Sequence, residues 1–445
     1  MANVVIFSYS NVTWTKEHYF DSFVTGFANA LSRCGNDVLN IDLKGFVNDF
    51  KTEYICDSNK KYVGESVAAF KPDLIITFNN MLHDTEHIKK LSCPVVLYPA
   101  DGVDFFWHKH FLRKELDLYW FLDINEYHRK SFMNAFPSLH GERLIHFGYV
   151  TDFRRRELEQ DINLSFLGSI PNHDTSILHY LRKMHSNELD KIFYEALETF
   201  RQHPDRNFPL ELSDFKSDLG ISLETIAVWL ITCKARFELL SELFPHGLKL
   251  YGYSSFLDCA LYNYEFIKHY NHELCVTQKQ AETLYNRSKI SLNLPNARAV
   301  SGFSWRVPDI LASQGVLLSF DSPDLRTLTK KYVTLPMYRS TAEAKELVRL
   351  LLADNIWRKD IALACNAMVE NQCRFEYYFP NITSSTGVKL MNKRIGKVQI
   401  LYCKSEENAL AFKKKKGGGR IHFGRISKEL SKILPYFIAK KILKK

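Results

Sequence analysis

Short runs of β-branched and aromatic residues alternate with stretches of helical periodicity through the first 150 residues. This is the pattern of βαβ units around a parallel sheet. Val4 to Phe7 predicts the first strand. His18 to Arg33 carries apolar residues at Phe20, Phe23, Val24, Phe27 and Leu31, a spacing that predicts one amphipathic helix stopped by Gly35. Val38 to Ile41 predicts a second strand, and Val63 to Phe70 a short helix ended before Pro72. Leu74 to Phe78, Val95 to Tyr98, Tyr119 to Leu122 and Leu144 to Phe147 predict four more strands. Around Tyr149 to Asp161 the chain turns polar, with Arg154, Arg155, Arg156, Glu157, Glu159 and Asp161 close together, and a hinge is expected there.

A second strand series opens at Leu164 to Leu167 and ends on Gly168-Ser169. It resumes at Leu248 to Tyr251, Ile290 to Leu294, Val316 to Phe320 and Val333 to Leu335, with helical segments such as Ala342 to Leu352 and Trp357 to Val369 between and after. Ile177 to Leu243 is mostly helical, broken near Pro204 and Pro209, and reads as an inserted layer. The expected architecture is α/β, with two Rossmann-like domains facing a central cleft. Its parts are a first domain over 1–150, a hinge over 151–162, a second domain over 163–380 with a helical insertion over about 171–245, and a return segment with a tail over 381–445. Open sheets of this kind bind ligands beyond the carboxyl ends of their strands.

At 445 residues, 46% hydrophobic and 24% charged, the chain is too apolar for a disordered protein and too long for one small domain. The formal charge of +9 changes meaning once it is located. From Lys404 to Lys445 there are 13 Lys/Arg and 3 Glu, so the preceding 403 residues are close to neutral. A neutral body does not offer the phosphate-neutralising groove that nucleic acid requires, and no nucleic-acid partner is expected. The tail runs from Lys413–Lys416 through three glycines into Ile426, Leu430, Ile433, Leu434, Phe437, Ile438 and Ile442 at helical spacing, interleaved with lysines. It predicts a basic amphipathic segment, kinked at Pro435, lying on an anionic membrane surface. Nine scattered cysteines without a CxxC pair point to free thiols in a reducing compartment. Met1 leads straight into the first strand, and the apolar run near Ile226 to Ile231 is far shorter than the roughly 20 residues a bilayer requires. The expected location is cytoplasmic, peripherally attached to the inner face of the membrane.

The most informative chemistry lies in Ser288 to Pro295 and Ser301 to Ser319: a strand, a glycine-containing loop, a short helix with Pro308 in its first turn and Gly315 after it, and another strand. A loop before such a helix can aim backbone N–H groups at a phosphate, Arg306 can add a bidentate contact, and Asp309, one turn on, can accept from ribose hydroxyls.

The run from Lys289 to Leu318 resembles the donor-binding half of GT-B glycosyltransferases, in particular the CgeB-like group, in which an sKI.LN strand precedes g...R.fE.lA.Gg.ll. Asn163 to Ser169 resembles that group's D.sFvGs, Leu248 to Gly252 its v.iyG strand, and Trp357 to Phe379 its closing helices. The resemblance spans about half the chain. It departs from the pattern at Ser301, where many retaining members carry a first Glu, and at Asp309, which replaces a second Glu. It implies donor-binding roles for Gly168, Ser169, Tyr251, Gly252, Ser301, Gly302, Phe303, Arg306 and Asp309, with Tyr251 and Gly252 near the base and Ser301 to Phe303 at the diphosphate. Asp101, in Tyr98-Pro-Ala-Asp-Gly-Val-Asp104, resembles the group's w..D.p position and is the expected catalytic base; His18, His108 and His110 are alternatives.

The implied activity is transfer of a sugar from a nucleotide-sugar to a cell-surface glycan, of lipopolysaccharide, lipooligosaccharide or capsule type and possibly lipid-linked. No cofactor is expected beyond the donor substrate. No Asp-x-Asp of the kind that grips a divalent ion in GT-A enzymes stands out, so metal-independent transfer is expected. Neither a Gly-x-Gly-x-x-Gly after the first strand nor a P-loop is present. Two alternatives remain: a polyol-phosphate transferase of related fold, and a non-catalytic sugar-nucleotide-binding protein.

Overall fold

The computed structural model describes residues 1–12, 18–43, 57–81, 90–100, 116–139, 141–170, 198, 223–252, 254–273, 275–297 and 302–402. Strand β1 (Asn3–Ser8) is followed by a small antiparallel pair, β2 (Asn11–Val12) and β3 (His18–Tyr19), then the helix Ser22–Arg33 and β4 (Asp37–Asp42). The helix Asp57–Phe70, β5 (Leu74–Phe78), β6 (Val95–Tyr98), β7 (Tyr119–Asp123), the helix Glu126–Ala135 and β8 (Leu144–His146) complete this half. Every strand of the main sheet is parallel to its neighbours, and both faces are covered, which explains the near-continuous apolar runs. Period-two alternation divides them: Val4, Ile6, Ile76, Val96 and Tyr98 belong to one buried cluster, Val5, Phe7, Ile75, Val95 and Leu97 to another.

The second sheet has the order β10-β9-β11-β12-β13, from β9 (Ile162–Gly168), β10 (Leu248–Gly252), β11 (Ser288–Asn293), β12 (Val316–Phe320) and β13 (Met337–Tyr338). The helix Leu223–Leu243 precedes β10, and the helix Gln278–Arg287, opened by a Thr277/Gln280 capping box, precedes β11. The helix Arg306–Leu311 lies between β11 and β12. The polar 151–161 stretch runs along the Gln278–Arg287 helix: the Arg154 N–H donates to Glu282 (2.7 Å) and the Arg156 N–H to Asn286 (3.0 Å). Arg374, almost wholly buried, holds the start of this stretch by donating to the carbonyls of Thr151 (3.0 Å) and Phe153 (2.6 Å).

Three elements differ from the sequence reading. The first helix starts at Ser22 rather than His18, because His18 and Tyr19 are paired with Val12 and Asn11. The last strand of the second sheet is Met337–Tyr338 rather than Val333 to Leu335; Pro336, lacking an N–H, separates the two, and pairing with Ser319 and Phe320 begins after it. The return segment is also more than a tail. The helix Phe375–Thr386 packs Phe375 and Phe379 against Phe27 at ring separations of 5.2 and 5.8 Å, and β14 (Val398–Tyr402) pairs in parallel with β4. The first sheet therefore reads β14-β4-β1-β5-β6-β7-β8. Of the predicted insertion, only residue 198 and the Leu223–Leu243 helix lie among the described residues between 171 and 243, and the basic tail beyond Tyr402 lies outside them.

Gly252 ends β10 at φ +115°, and a Cβ there would stand 2.3 Å from the Gly168 carbonyl oxygen. Gly252→Ala is expected to cost about 2–4 kcal/mol and to lower the thermal midpoint by several degrees in a denaturation scan, because both backbone strain and the clash must be relieved.

Candidate active site

The carboxyl ends of β9 and β10 come together at Gly168 and Gly252, which are register partners. Phe166, two residues before the end of β9, carries two guanidinium groups against its ring: Arg236 at 6.0 Å and Arg306 at 5.6 Å from the centroid. Arg236 comes from the Leu223–Leu243 helix and donates to the carbonyls of Ser169 (2.7 Å) and Leu294 (2.9 Å), while its Nε–H has no partner among the described residues. Arg306 opens the Arg306–Leu311 helix, lies 3.2 Å from where a Gly168 Cβ would be, and meets the Tyr285 hydroxyl. Neither arginine has a carboxylate within ion-pair distance among the described residues. Burial, with Arg306 alongside, pushes the Arg236 guanidinium down to about 9. Gly168, Ser169, Gly252 and Arg306 are thus neighbours. Arg236 was not singled out from sequence, although an arginine within a helix so rich in apolar residues is itself a signal.

Tyr251, whose side chain leaves the strand on the face opposite to its neighbours in sequence, is half-buried with its hydroxyl on the Asn271 side chain. The loop before the Arg306–Leu311 helix docks on the first domain. Phe303 stacks on Tyr149 (3.8 Å, 25°), and Trp305 packs on Tyr98 (5.1 Å) and Phe23 (5.8 Å) and donates its indole N–H to the Ala100 carbonyl (3.4 Å). Gly302 has φ +79°, and a Cβ there would fall 2.6 Å from the Tyr149 hydroxyl, so the close approach of the domains requires glycine.

Two expected donor contacts have protein partners instead. The Gly302 N–H, expected at a diphosphate, donates to the Asp324 carboxylate. Asp309, expected at ribose hydroxyls, is 6% exposed, with Oδ1 accepting from Thr151 (2.5 Å) and Oδ2 from Ser22 (2.9 Å). Burial outweighs both hydroxyl contacts and pushes this carboxyl up to about 7. Asp309 joins the first domain, the hinge and the second domain at one point. Ser301 lies outside the described residues.

On the first-domain side, Asp101, His108 and His110 lie outside the described residues. His18 is within them. Its Nδ1 is 3.0 Å from Asp42 Oδ2 and 2.8 Å from Ser10 Oγ, and its ring meets Tyr402 edge-on at 5.4 Å. His18 lines a groove of about 590 Å³ whose walls come from the Ser22–Arg33 helix, the 152–156 stretch and the start of the Gln278–Arg287 helix. No group of three His, Cys, Asp or Glu side chains is placed to hold a metal among the described residues, and no described helix is long and apolar enough to cross a membrane.

Residues 235–378 match the Glyco_trans_1_2 family, described as glycosyl transferase-like. Among solved structures, sucrose-phosphate synthase from Thermosynechococcus elongatus aligns over 86% of this chain and 98% of that one, at 11% identity and a TM-score of 0.50. WaaG, a glycosyltransferase involved in lipopolysaccharide biosynthesis, aligns over 86% and 98% at 11% identity and 0.47. Anabaena Alr3699/HepE in complex with UDP and glucose aligns over 87% and 100% at 10% and 0.43. No curated protein matches the sequence. The matched segment contains both arginines that meet at Phe166, and two parallel sheets with an inter-domain crevice are the GT-B fold. Fold and matched segment agree on a class: the chain has the GT-B fold, and its residues 235–378 match a glycosyl transferase-like family.

Proposed function

We propose that the protein transfers a sugar from a nucleotide-sugar donor to a hydroxyl of a cell-surface glycan, of lipopolysaccharide, lipooligosaccharide or capsule type. The observation that carries this reading is the pair Arg236 and Arg306 at the carboxyl end of β9, with no carboxylate neutralising them among the described residues. Cations shielded from water are ordinarily paired, so two partly buried guanidiniums side by side, one with a spare Nε–H, are complementary to a dianionic group. A nucleoside diphosphate has that charge. As the bond to the sugar breaks, negative charge gathers on the leaving diphosphate, where fixed guanidiniums stabilise it without reorganising. Because these side chains supply the positive charge, transfer is proposed to be metal-independent. A first-domain group, among Asp101, His18 and His108, takes the acceptor proton. The basic tail is proposed to hold the enzyme against an anionic membrane at its cytoplasmic face, beside a lipid-linked acceptor.

A panel of UDP-, GDP-, ADP-, CMP- and dTDP-sugars in a thermal-shift assay tests this reading. One nucleotide class is expected to raise the midpoint, with and without EDTA, since a ligand bound only to the folded state stabilises it. No shift with any member overturns it, and a shift abolished by EDTA overturns metal independence. The partners already held by Gly302 and Asp309 favour a second reading, a sugar-nucleotide-binding protein without turnover; slow hydrolysis of the bound donor rules that out.

A further inference from the structure

We infer that the groove beside the hinge is an effector site for a monosaccharide carrying one anionic group, a phosphate ester or a carboxylate, and that its occupation tightens the grip on the donor. The site itself stands apart from the glycosyltransferase reading; its effect on the donor rests on that reading.

The groove, of about 590 Å³, is walled by three parts of the chain, and none of the residues placed at the donor site lines it. A volume of this size encloses a small organic ligand. Its carboxylates are already committed. Asp152 accepts from Arg33 (2.5 Å), Gln278 Nε2 (3.2 Å) and Asn29 Nδ2 (3.4 Å), and Glu282 accepts from the Arg154 N–H (2.7 Å) and the Arg156 guanidinium (2.6 Å). Its cations are in excess. Arg33 and Arg154 are balanced from outside the groove by Glu376 (2.7 Å) and Glu370 (3.2 Å), and Arg156 by Glu282, but Lys279 is exposed and has no carboxylate partner among the described residues.

Lys279 is also the second residue of the helix Gln278–Arg287. Thr277 caps that helix through the Gln280 N–H (3.3 Å), so the amides of Gln278 and Lys279 have no acceptor among the described residues at the positive end of the helix. One ammonium and two amides at one end of the groove suit a single anionic group. The rest suits a sugar. Gln278 Oε1 is buried without a partner among the described residues, an unfavourable state that a ligand hydroxyl relieves. Thr25 and Asn29 line the first-domain wall, and Tyr19 and Phe20 add aromatic surface for the apolar face of a sugar ring.

The coupling follows from where the groove lies. A ligand in it touches the Ser22–Arg33 helix, the 152–156 stretch and the start of the Gln278–Arg287 helix, so it binds one relative placement of the domains better than others. Asp309 holds that same placement: Thr151, next to Asp152, donates to its Oδ1 (2.5 Å), and Ser22, one turn before Thr25, donates to its Oδ2 (2.9 Å). Asp309 lies on the helix that Arg306 opens. The arrangement that forms the groove therefore also sets Arg306 at the donor site, and two ligands that favour one arrangement favour each other.

The test uses the full-length chain, with glucose 6-phosphate, glucose 1-phosphate and glucuronate as probes and glucose and inorganic phosphate as controls. At saturating concentration one of the probes is expected to raise the thermal midpoint by several degrees, in wild-type protein and in Arg306→Ala alike; whether it is an ester or the carboxylate tells the two anionic groups apart. Lys279→Glu is expected to keep the unliganded midpoint within a degree or two and to abolish the shift. In isothermal titration of the wild-type chain, the probe is expected to tighten binding of the best nucleotide-sugar from the panel above by about fivefold or more, and that nucleotide-sugar to tighten binding of the probe by the same factor. No shift with any probe, an equal shift with inorganic phosphate, or a shift kept by Lys279→Glu overturns the site. A shift lost in Arg306→Ala places the probe at the donor site and overturns it too. Unchanged donor affinity, or a probe that is itself glycosylated, overturns the effector role. If no nucleotide-sugar binds while the Lys279-dependent shift remains, the glycosyltransferase reading fails and the anion site stands.

Discussion

Arg306→Ala is expected to lower donor turnover by about 10²–10³-fold while leaving the thermal midpoint within a degree or two, and Arg236→Ala to lower both turnover and stability. The difference follows from what each side chain holds. Arg306 lies against Phe166 and meets Tyr285, and its removal leaves no buried carbonyl without a donor. Arg236 satisfies the carbonyls of Ser169 and Leu294, and stranding these costs about 1–3 kcal/mol each, partly offset because a buried cation is removed. The loss in turnover has one origin in both variants: a preorganised donor aimed at developing negative charge is worth about 10²–10³ in rate. Lysine should not substitute at 236, since one ammonium cannot span two carbonyls and still present a spare N–H. Steady-state kinetics with the donor and a thermal scan of each variant check this; wild-type turnover by Arg306→Ala would remove the diphosphate from the site.

The second large effect concerns Asp309. Its carboxyl is carried from the ordinary range near 4 up to about 7 by burial, so the folded protein favours the protonated form. The associated stability is fully present below about pH 4 and is lost as pH rises through about 7, at most about 4 kcal/mol. Wild-type protein is therefore expected to melt several degrees lower at pH 8 than at pH 5.5 relative to Asp309→Asn, which keeps acceptor and shape without the charge. Because Ser22 and Thr151 bring two other parts of the chain to this carboxyl, the same titration loosens contact between the domains. Parallel pH-dependent melts of the two proteins measure it; identical profiles would mean that Asp309 stays ionised when buried.

The strands were the legible part of this chain. Leu74 to Phe78 is apolar on both faces because both faces of the sheet are covered, and such a run admits few other readings. Boundaries set by distant pairing were not legible: nothing local in His18-Tyr19 announces that it pairs with Asn11-Val12. The same distance hid the state of the site. Sequence spacing places Asp309 one turn beyond Arg306, but its partners Ser22 and Thr151 are 287 and 158 positions away, and Asp324 is 22 from Gly302. Arg236 was missed because a helical insertion gives no reason to look for a strand-end ligand within it. The tie of His18 to Asp42 was equally hidden, since the two residues belong to different segments, 24 positions apart.

The strand β14 makes the first sheet depend on both ends of the described chain. β4 is its neighbour, and the Val38 N–H finds its acceptor on that side only when the Lys397 carbonyl and the residues after it arrive. During synthesis the N-terminal lobe therefore waits, one flank of its sheet unpaired, while the whole C-terminal lobe emerges from the ribosome and folds. Cutting the gene at the linker would give an N-terminal fragment with a bare β edge that invites self-association. Separate production of the two lobes calls instead for a permuted gene in which the segment from Phe375 to Tyr402 travels with the N-terminal lobe.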